Sequence, residues 1–472
     1  YSYRLLAPEL QGFFASLSVF DGGWTLEAAE AVCAEPEARE YLGRLIENSL
    51  VVAEAGAVTG AAEPGAMRYR MLETIREYGW QQLTGDQRAV LAGRHAEYFT
   101  RLAGEASAEG HGQPRGDALD RMGEERGNFG AALRWCRETE LPTMGLRLAS
   151  RLTPFWEIRG PLTEGCHWLR SLLDLPQEDV PRKDVAEALS ALGRIAWHQS
   201  DYAAAADAQA RCLALQKEAG DAAGTARSLY DLGIVEIRRC RYDAAKEYLE
   251  ESLAIASALG DAPGVARSLL NLGNIAKYRG RYAEAKAYFE QSLATERSLG
   301  NLERVAMALN NLAVLALQEG SFPAAEYLLE QASKTFAELG SASGVGLARL
   351  NQGKLAARRG QLAEAIALFR ESTRVHAEVG SRFFLVEAVV ELSDVALRRG
   401  HDYAAAVGAA AADRLLRSLQ AGLPPADAGL LNALLADTAD RLTPDVRAVA
   451  MLQAAALGEE SAVAYLLESL DG

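Results

Sequence analysis

A forty-residue period constrains most of this chain. The stretch "YRGRYAEAKAYFEQSLATERSLG", Tyr278 to Gly300, returns forty residues earlier in nearly the same words as "RCRYDAAKEYLEESLAIASALG", Arg239 to Gly260. Glycines recur at Gly220, Gly260, Gly300, Gly340 and Gly380, and a second set at Gly280, Gly320, Gly360 and Gly400 lies twenty residues out of phase. Glycine enters the left-handed conformation that closes a helix without a Cβ penalty, so each half-period predicts one helix ended by a glycine. Between the glycines the apolar residues keep helical spacing, as in Leu269, Leu272, Ile275 and Ala276, then Tyr282, Ala285, Tyr288, Phe289 and Leu293. Each period therefore predicts a helical hairpin. A reacting group is needed once, whereas a phrase repeated at constant spacing builds by stacking.

Small residues fall where the two helices of a hairpin must approach: Gly233, Gly273, Ala313 and Gly353 in the first helix, Ala245, Ala285, Ala325 and Ala365 in the second. Leu249, Phe289, Leu329 and Phe369 fill the next layer. This alternation resembles the tetratricopeptide repeat, in a forty-residue form rather than the usual length of about thirty-four. "FWEIRGPLTEGCHWLRSLL" keeps the register as a diverged first hairpin, and "LRRGHDYAAAVGAAAADRLLRSL" reads as a further full copy with one inserted residue. The expected architecture is an all-α tetratricopeptide right-handed superhelix of about seven hairpins over residues 141–420, with a long concave surface suited to binding. Beyond residue 420 "GLPPADAGLL" breaks the pattern, and "TPDVRAVAMLQAAAL" and "GEESAVAYLLESL" read as amphipathic helices that cap the exposed end, residues 421–472.

The first 140 residues follow another grammar. Helical patterns at Pro8 to Ser16, Thr25 to Cys33 and Ala38 to Ser49 precede two β-like runs, "SLVVAEA" and "MRYRML", with a Gly/Ala-rich loop between them. Three helices and a hairpin are the layout of a winged helix, assigned to residues 1–85, with a helical linker over 86–140. "LSVFDGGWTLEAAEAVC", "LGRLIENSLVV" and "RYRMLETIREYGWQQL" resemble the winged-helix module that follows the nucleotide-binding domain in bacterial STAND regulators, the signal-transducing NTPases of the NB-ARC and maltose-activator type. "RHAEYFTRLA" and "EERGNFGAALRWC" resemble the helical linker that joins this module to tetratricopeptide repeats in such proteins. The resemblance implies a P-loop NTPase domain upstream in the same polypeptide, controlled by a repeat array that senses an inducer or a partner protein. The chain itself holds no G-x-x-x-x-G-K-[ST], and no DNA-binding helix-turn-helix follows residue 420, so the sensor half is what the resemblance covers. A first residue Tyr1 rather than Met reads as a piece of a longer polypeptide or as a trimmed start. The alternative is a stand-alone repeat scaffold for protein–protein interaction.

Charge and composition remove other classes. A net charge of −15 opposes nonspecific attraction to phosphate backbones. The third helix, "EAREYLGRLIENS", sets Glu37, Glu40 and Glu47 against Arg39 and Arg44 only, so direct DNA binding is not expected; Arg68, Arg70 and Arg76 are expected to pair with acidic neighbours. There is no apolar run of spanning length and no signal-peptide layout, which predicts a cytoplasmic protein without membrane contact. Cys33, Cys136, Cys166, Cys212 and Cys240 are scattered and predict buried thiols. His95, His111, His167, His198, His376 and His401 form no ligand spacing, and no G-x-S-x-G occurs, so no metal, cofactor or enzymatic activity is expected.

The first helix of each hairpin offers a polar stripe instead. One column at forty-residue spacing reads Ala191, Asp231, Asn271, Asn311, Asn351 and Glu391; a turn on, it reads Arg194, Ile234, Asn274, Val314, Lys354 and Asp394. A further turn gives His198, Arg238, Tyr278, Gln318, Arg358 and Arg398. Residues three or four apart share a helix face, so Arg194, Asp231, Arg238, Asn271, Asn274, Tyr278, Asn311, Gln318, Asn351, Lys354, Arg358 and Arg398 are the candidate groove residues. Asparagine amides can hold a peptide backbone, and Arg and Lys can take carboxylates, which suits a peptide or acidic ligand. Two other readings stay open: a small-molecule inducer site, and asparagines that merely bond neighbouring helices.

Overall fold

The computed structural model describes residues 2–55, 67–108 and 116–471. The Gly/Ala-rich loop between the β-like runs and His111 lie outside the described residues. The chain divides into two compact units, Tyr1–Ile195 and Ala196–Gly472.

The first unit opens with α1 (Pro8–Leu17), β1 (Trp24–Thr25), α2 (Leu26–Cys33), α3 (Ala38–Glu47), β2 (Val52–Ala55) and β3 (Met67–Arg70). The strands form one antiparallel sheet with β3 in the middle, Trp24 opposite Tyr69 and Val52 opposite Arg70. Strand β1 is two residues long, too short for alternation to reveal it. Thr25 is not helical: its hydroxyl caps α2 by accepting from the Ala28 amide. Then come α4 (Glu73–Gln82), α5 (Gly85–Ala108), α6 (Gly116–Glu124), α7 (Arg126–Glu138), α8 (Pro142–Ile158), α9 (Leu162–Leu173) and α10 (Arg182–His198).

One buried joint ties the sheet region to α7. The Asn128 side chain is fully buried; its Nδ2 donates to the Gly23 carbonyl at 2.8 Å and to Glu125 Oε2 at 2.6 Å, and its Oδ1 accepts from the Asp21 amide at 2.8 Å. Gly127 lies so close to this loop that a Cβ would meet the Asp21 carbonyl oxygen at 2.5 Å. Arg68 donates to Glu125 at 2.5 Å, Arg70 pairs with Glu54 at 2.6 Å and Arg76 with Glu73 at 2.5 Å, so all three arginines have acidic neighbours.

The second unit holds α11 (Tyr202–Ala219) and then five hairpins: α12 (Ala222–Arg238) with α13 (Tyr242–Leu259), α14 (Ala262–Tyr278) with α15 (Tyr282–Ser298), α16 (Leu302–Gln318) with α17 (Phe322–Glu338), α18 (Ala342–Arg358) with α19 (Leu362–Glu378), and α20 (Arg382–Arg398) with α21 (Asp402–Ser418). The glycines at the helix ends all have positive φ, from +65° at Gly340 to +85° at Gly400. Where the twenty-residue beat falls on Ser200, Cys240 and Gln420, the backbone keeps the same left-handed turn at φ of 60°, 56° and 49°. Asp201, Asp221, Asp261 and Asn301 start the next helices by accepting a backbone amide three residues on. Helix α21 begins forty residues after α19 and has its length, so the register runs unbroken and the expected inserted residue is absent.

Inside three of the hairpins the small-against-large pairs meet at glycines. A Cβ on Gly273 would sit 2.5 Å from the Phe289 ring, one on Gly353 2.5 Å from Phe369, and one on Gly233 2.6 Å from Leu249. Buried serines add a rung to three hairpins: Ser252, Ser292 and Ser372 donate to the carbonyls of Ala226, Ala266 and Gly346 at 2.8, 2.9 and 2.8 Å. Helices α22 (Pro425–Arg441), α23 (Pro444–Ala455) and α24 (Glu459–Asp471) pack against α20 and α21.

Two substitutions separate these constraints. Gly273→Ala forces the Phe289 ring aside and is expected to cost about 1–3 kcal/mol. Gln420→Gly removes left-handed strain worth about 1–2 kcal/mol against a smaller entropic cost, so it is expected to raise stability. Denaturant midpoints of the two variants should move in opposite directions.

A candidate ligand-binding cavity

The first helices of the five hairpins line one cavity of about 720 Å³ in the second unit. The apolar side of each first helix turns toward its own second helix, which leaves the polar columns on the inner face. Nine of the candidate residues line this cavity: Arg238, Asn271, Asn274, Tyr278, Asn311, Gln318, Asn351, Lys354 and Arg358. Three do not. Arg194 lies in the first unit and pairs with Glu157 at 3.1 Å, Asp231 accepts from Gln209 at 3.3 Å, and Arg398 donates to the Ala357 carbonyl at 2.8 Å. In each case a neighbouring helix supplies a closer partner than the open face does.

The asparagine column splits in the same way. Asn351 is buried and donates to Asn310 Oδ1 at 3.0 Å, while Asn271 donates to the Tyr230 hydroxyl and the Arg267 carbonyl, both at 3.2 Å. These two bond neighbouring helices. Asn274 only leans on Asn271 at 3.5 Å, and its Oδ1 is buried with no hydrogen-bond partner among the described residues.

The pattern-breaking segment that leads into α22 and forms its first turn also belongs to the wall, which its sequence did not announce. The Gly422 amide donates to the Arg238 carbonyl at 2.9 Å, and the Cys240 thiol donates to the Leu423 carbonyl at 3.4 Å. A Cβ on Gly422 would strike the Cys240 sulfur, so only glycine passes there. Pro424, Pro425 and Asp427 then face the cavity. Opposite ends of the hairpin row meet beside this strap, where the Arg238 guanidinium lies 4.3 Å from the centre of the Phe383 ring and 5.2 Å from that of Phe384.

Charge is concentrated where strap and hairpins join. Lys354 Nζ reaches Glu387 at 2.5 Å, Asp427 at 3.1 Å and Glu391 at 3.6 Å, and all three acids are buried. Burial pulls the Lys354 ammonium down, but Asp427, Glu387 and Glu391 together hold it well above its ordinary range. Burial pushes the Glu391 carboxyl up to about 7 despite Lys354, and Asp427 is raised for the same reason. Nearby, burial lowers Lys277 to about 8; Asp427 and Glu387 oppose this shift, and Lys354 and Arg238 add to it. His376, fully buried and stacked on Phe384 at 4.8 Å, is lowered by burial to about 4.

The comparisons with known proteins agree with this architecture. The tetratricopeptide repeat family model matches residues 184–258, 235–298 and 264–338, and the fold is all-α and built of such repeats. Candidate HTH-type transcriptional regulators of Mycobacterium bovis and Mycobacterium tuberculosis are 32% identical over 243 residues, a match covering 48% of this chain and 26% of each relative. The matched part thus spans about a quarter of those relatives' length. A crystal structure of a Signal Transduction ATPase with Numerous Domains (STAND) protein with a tetratricopeptide repeat sensor, from Pyrococcus horikoshii, superposes with a TM-score of 0.53 at 15% identity, over 96% of this chain and 63% of that one. At that identity the likeness is one of fold.

Lys354→Met leaves three buried carboxylates facing one another and is expected to cost about 3–5 kcal/mol. The deficit should shrink as pH falls, because the folded variant then takes up protons that the unfolded chain does not. In the unsubstituted chain, the raised Glu391 contributes stability that is complete below its ordinary value and is lost as pH rises through about 7. Urea titrations of both proteins between pH 5 and pH 8 read this out; a deficit independent of pH would remove the carboxylates as its cause.

Proposed function

We propose that this chain is the sensor and protein-interaction region of a STAND-type transcriptional or signalling regulator. The observation that carries the reading is the cavity: five successive hairpins and a returning strap converge on one space of mixed polar and apolar lining, with a buried acceptor at Asn274 that has no partner among the described residues. Such a space suits an inducer or a short segment of a partner protein. The sequence relation to candidate HTH-type regulators and the fold shared with a repeat-bearing STAND ATPase favour the regulatory context. In that context the cavity would govern an NTPase domain preceding the chain.

The N-terminal sheet and helices act in this reading as a winged-helix spacer. Helix α3 carries its Glu40–Arg44 pair at the surface, and Arg68 is spent on Glu125, so little positive charge is left for phosphates. Mobility-shift titrations at low salt are expected to show no affinity for duplex DNA. Binding that weakens steeply with salt and is lost on Arg39→Glu/Arg44→Glu would put this module on DNA instead.

Ligand sensing is tested by thermal shift against fractionated cell extract, comparing the unsubstituted chain with Asn311→Ala/Gln318→Ala. A fraction that raises the unfolding temperature of the first and not of the second supports the cavity. Equal shifts for both proteins would move the site elsewhere.

A further inference from the structure

The cavity's charge balance says more about what enters it, on the reading that the cavity is a ligand site. Lys354 has three carboxylates at hand, but among the described residues Lys277 and Arg358 form no ion pair, and Arg238 meets ring faces rather than an acid. Lys277 stands over the Tyr278 ring at 4.9 Å in the wall of the cavity. A desolvated cation with no direct ion pair, only the more distant charges of Asp427 and Glu387, is costly, and an anion that reaches it is correspondingly well held. Asn274 Oδ1, buried without a partner, adds an acceptor within the same helix turn as Lys277.

We propose that the cavity binds a small organic carboxylate bearing hydroxyl or amino hydrogens, its carboxylate on Lys277 with Arg238 and Arg358, its donor on Asn274, and that Asp427 of the strap competes with it. Asp427 already places one carboxylate at Lys354, so the strap shows in cis which group this corner accepts. The volume of about 720 Å³ suits a compact molecule, since ligand pockets run to roughly 300–1,000 Å³. An extended peptide along the whole polar stripe would have to displace the strap, which Gly422, Leu423 and Asp427 fasten at three points. The lowered Lys277 adds a sign: a bound anion favours its charged form, so binding takes up protons near pH 8.

The test is calorimetry on the whole chain with malate, citrate, serine and glutamate, with inorganic phosphate, and with trialanine carrying a free or an amidated C-terminus. At least one of the four acids should bind, about tenfold or more weaker to Lys277→Met, near normally to Lys277→Arg, and tighter to Asp427→Asn. Circular dichroism checks that each variant is folded, and Arg358→Ala, at an exposed position, gives a second reading should Lys277→Met not fold. No binding by any of the acids, binding indifferent to both Lys277→Met and Arg358→Ala, or binding by phosphate or trialanine alone would overturn the proposal. A neutral extract ligand whose effect depends on Asn311 would overturn it too, while leaving the sensor reading intact.

Discussion

The second unit depends on one close approach repeated at fixed spacing. Where Gly233, Gly273 and Gly353 stand, the facing Leu249, Phe289 and Phe369 come nearer than any Cβ would allow, and three of the five hairpins close on that contact. The first helices are all seventeen residues long and begin forty residues apart, so equivalent positions recur on the same face of each. That is why residues forty apart share one wall, and why a polar column in the sequence becomes a polar surface in space.

Such a row needs its turns as much as its contacts. The left-handed turn recurs on a twenty-residue beat even at Ser200, Cys240 and Gln420, where the side chains make it expensive. At Cys240 the cost coincides with a use: the sulfur and the neighbouring Arg238 carbonyl receive the strap at Leu423 and Gly422. Strain therefore persists where tertiary contacts hold it.

Most of the repeat fold is legible in the sequence because its signals are local and repeated: glycine caps, small-against-large pairs and apolar spacing. What escapes is nonlocal. Strand β1 has two residues and exists only because Tyr69 and Arg68 lie opposite. Asn271 and Asn351 carry the same letter as Asn311, yet Tyr230 and Asn310 turn them toward neighbouring helices. Asp231 and Arg398 sit in the right columns and are claimed by Gln209 and the Ala357 carbonyl. Column position thus gives the face, and packing decides which side chains on it stay available.

The strap is the hardest part to read and has the largest consequence. "GLPPAD" carries no periodicity, and its partners lie about seventy and one hundred and eighty residues back, at Lys354 and Cys240. Asp427 falls in the first turn of α22, yet burial, with Glu387 beside it, raises its carboxyl against the pull of Lys354 and Lys277. On the proposed ligand reading, an acid held on such terms would yield to an anion that brings its own hydrogen-bond partners. Because α22 packs on both α20 and α21, displacing Asp427 acts on the first turn of a helix seated against the end of the row. On the proposed ligand reading, occupancy of the cavity and the position of the C-terminal helices would be coupled through that one carboxylate.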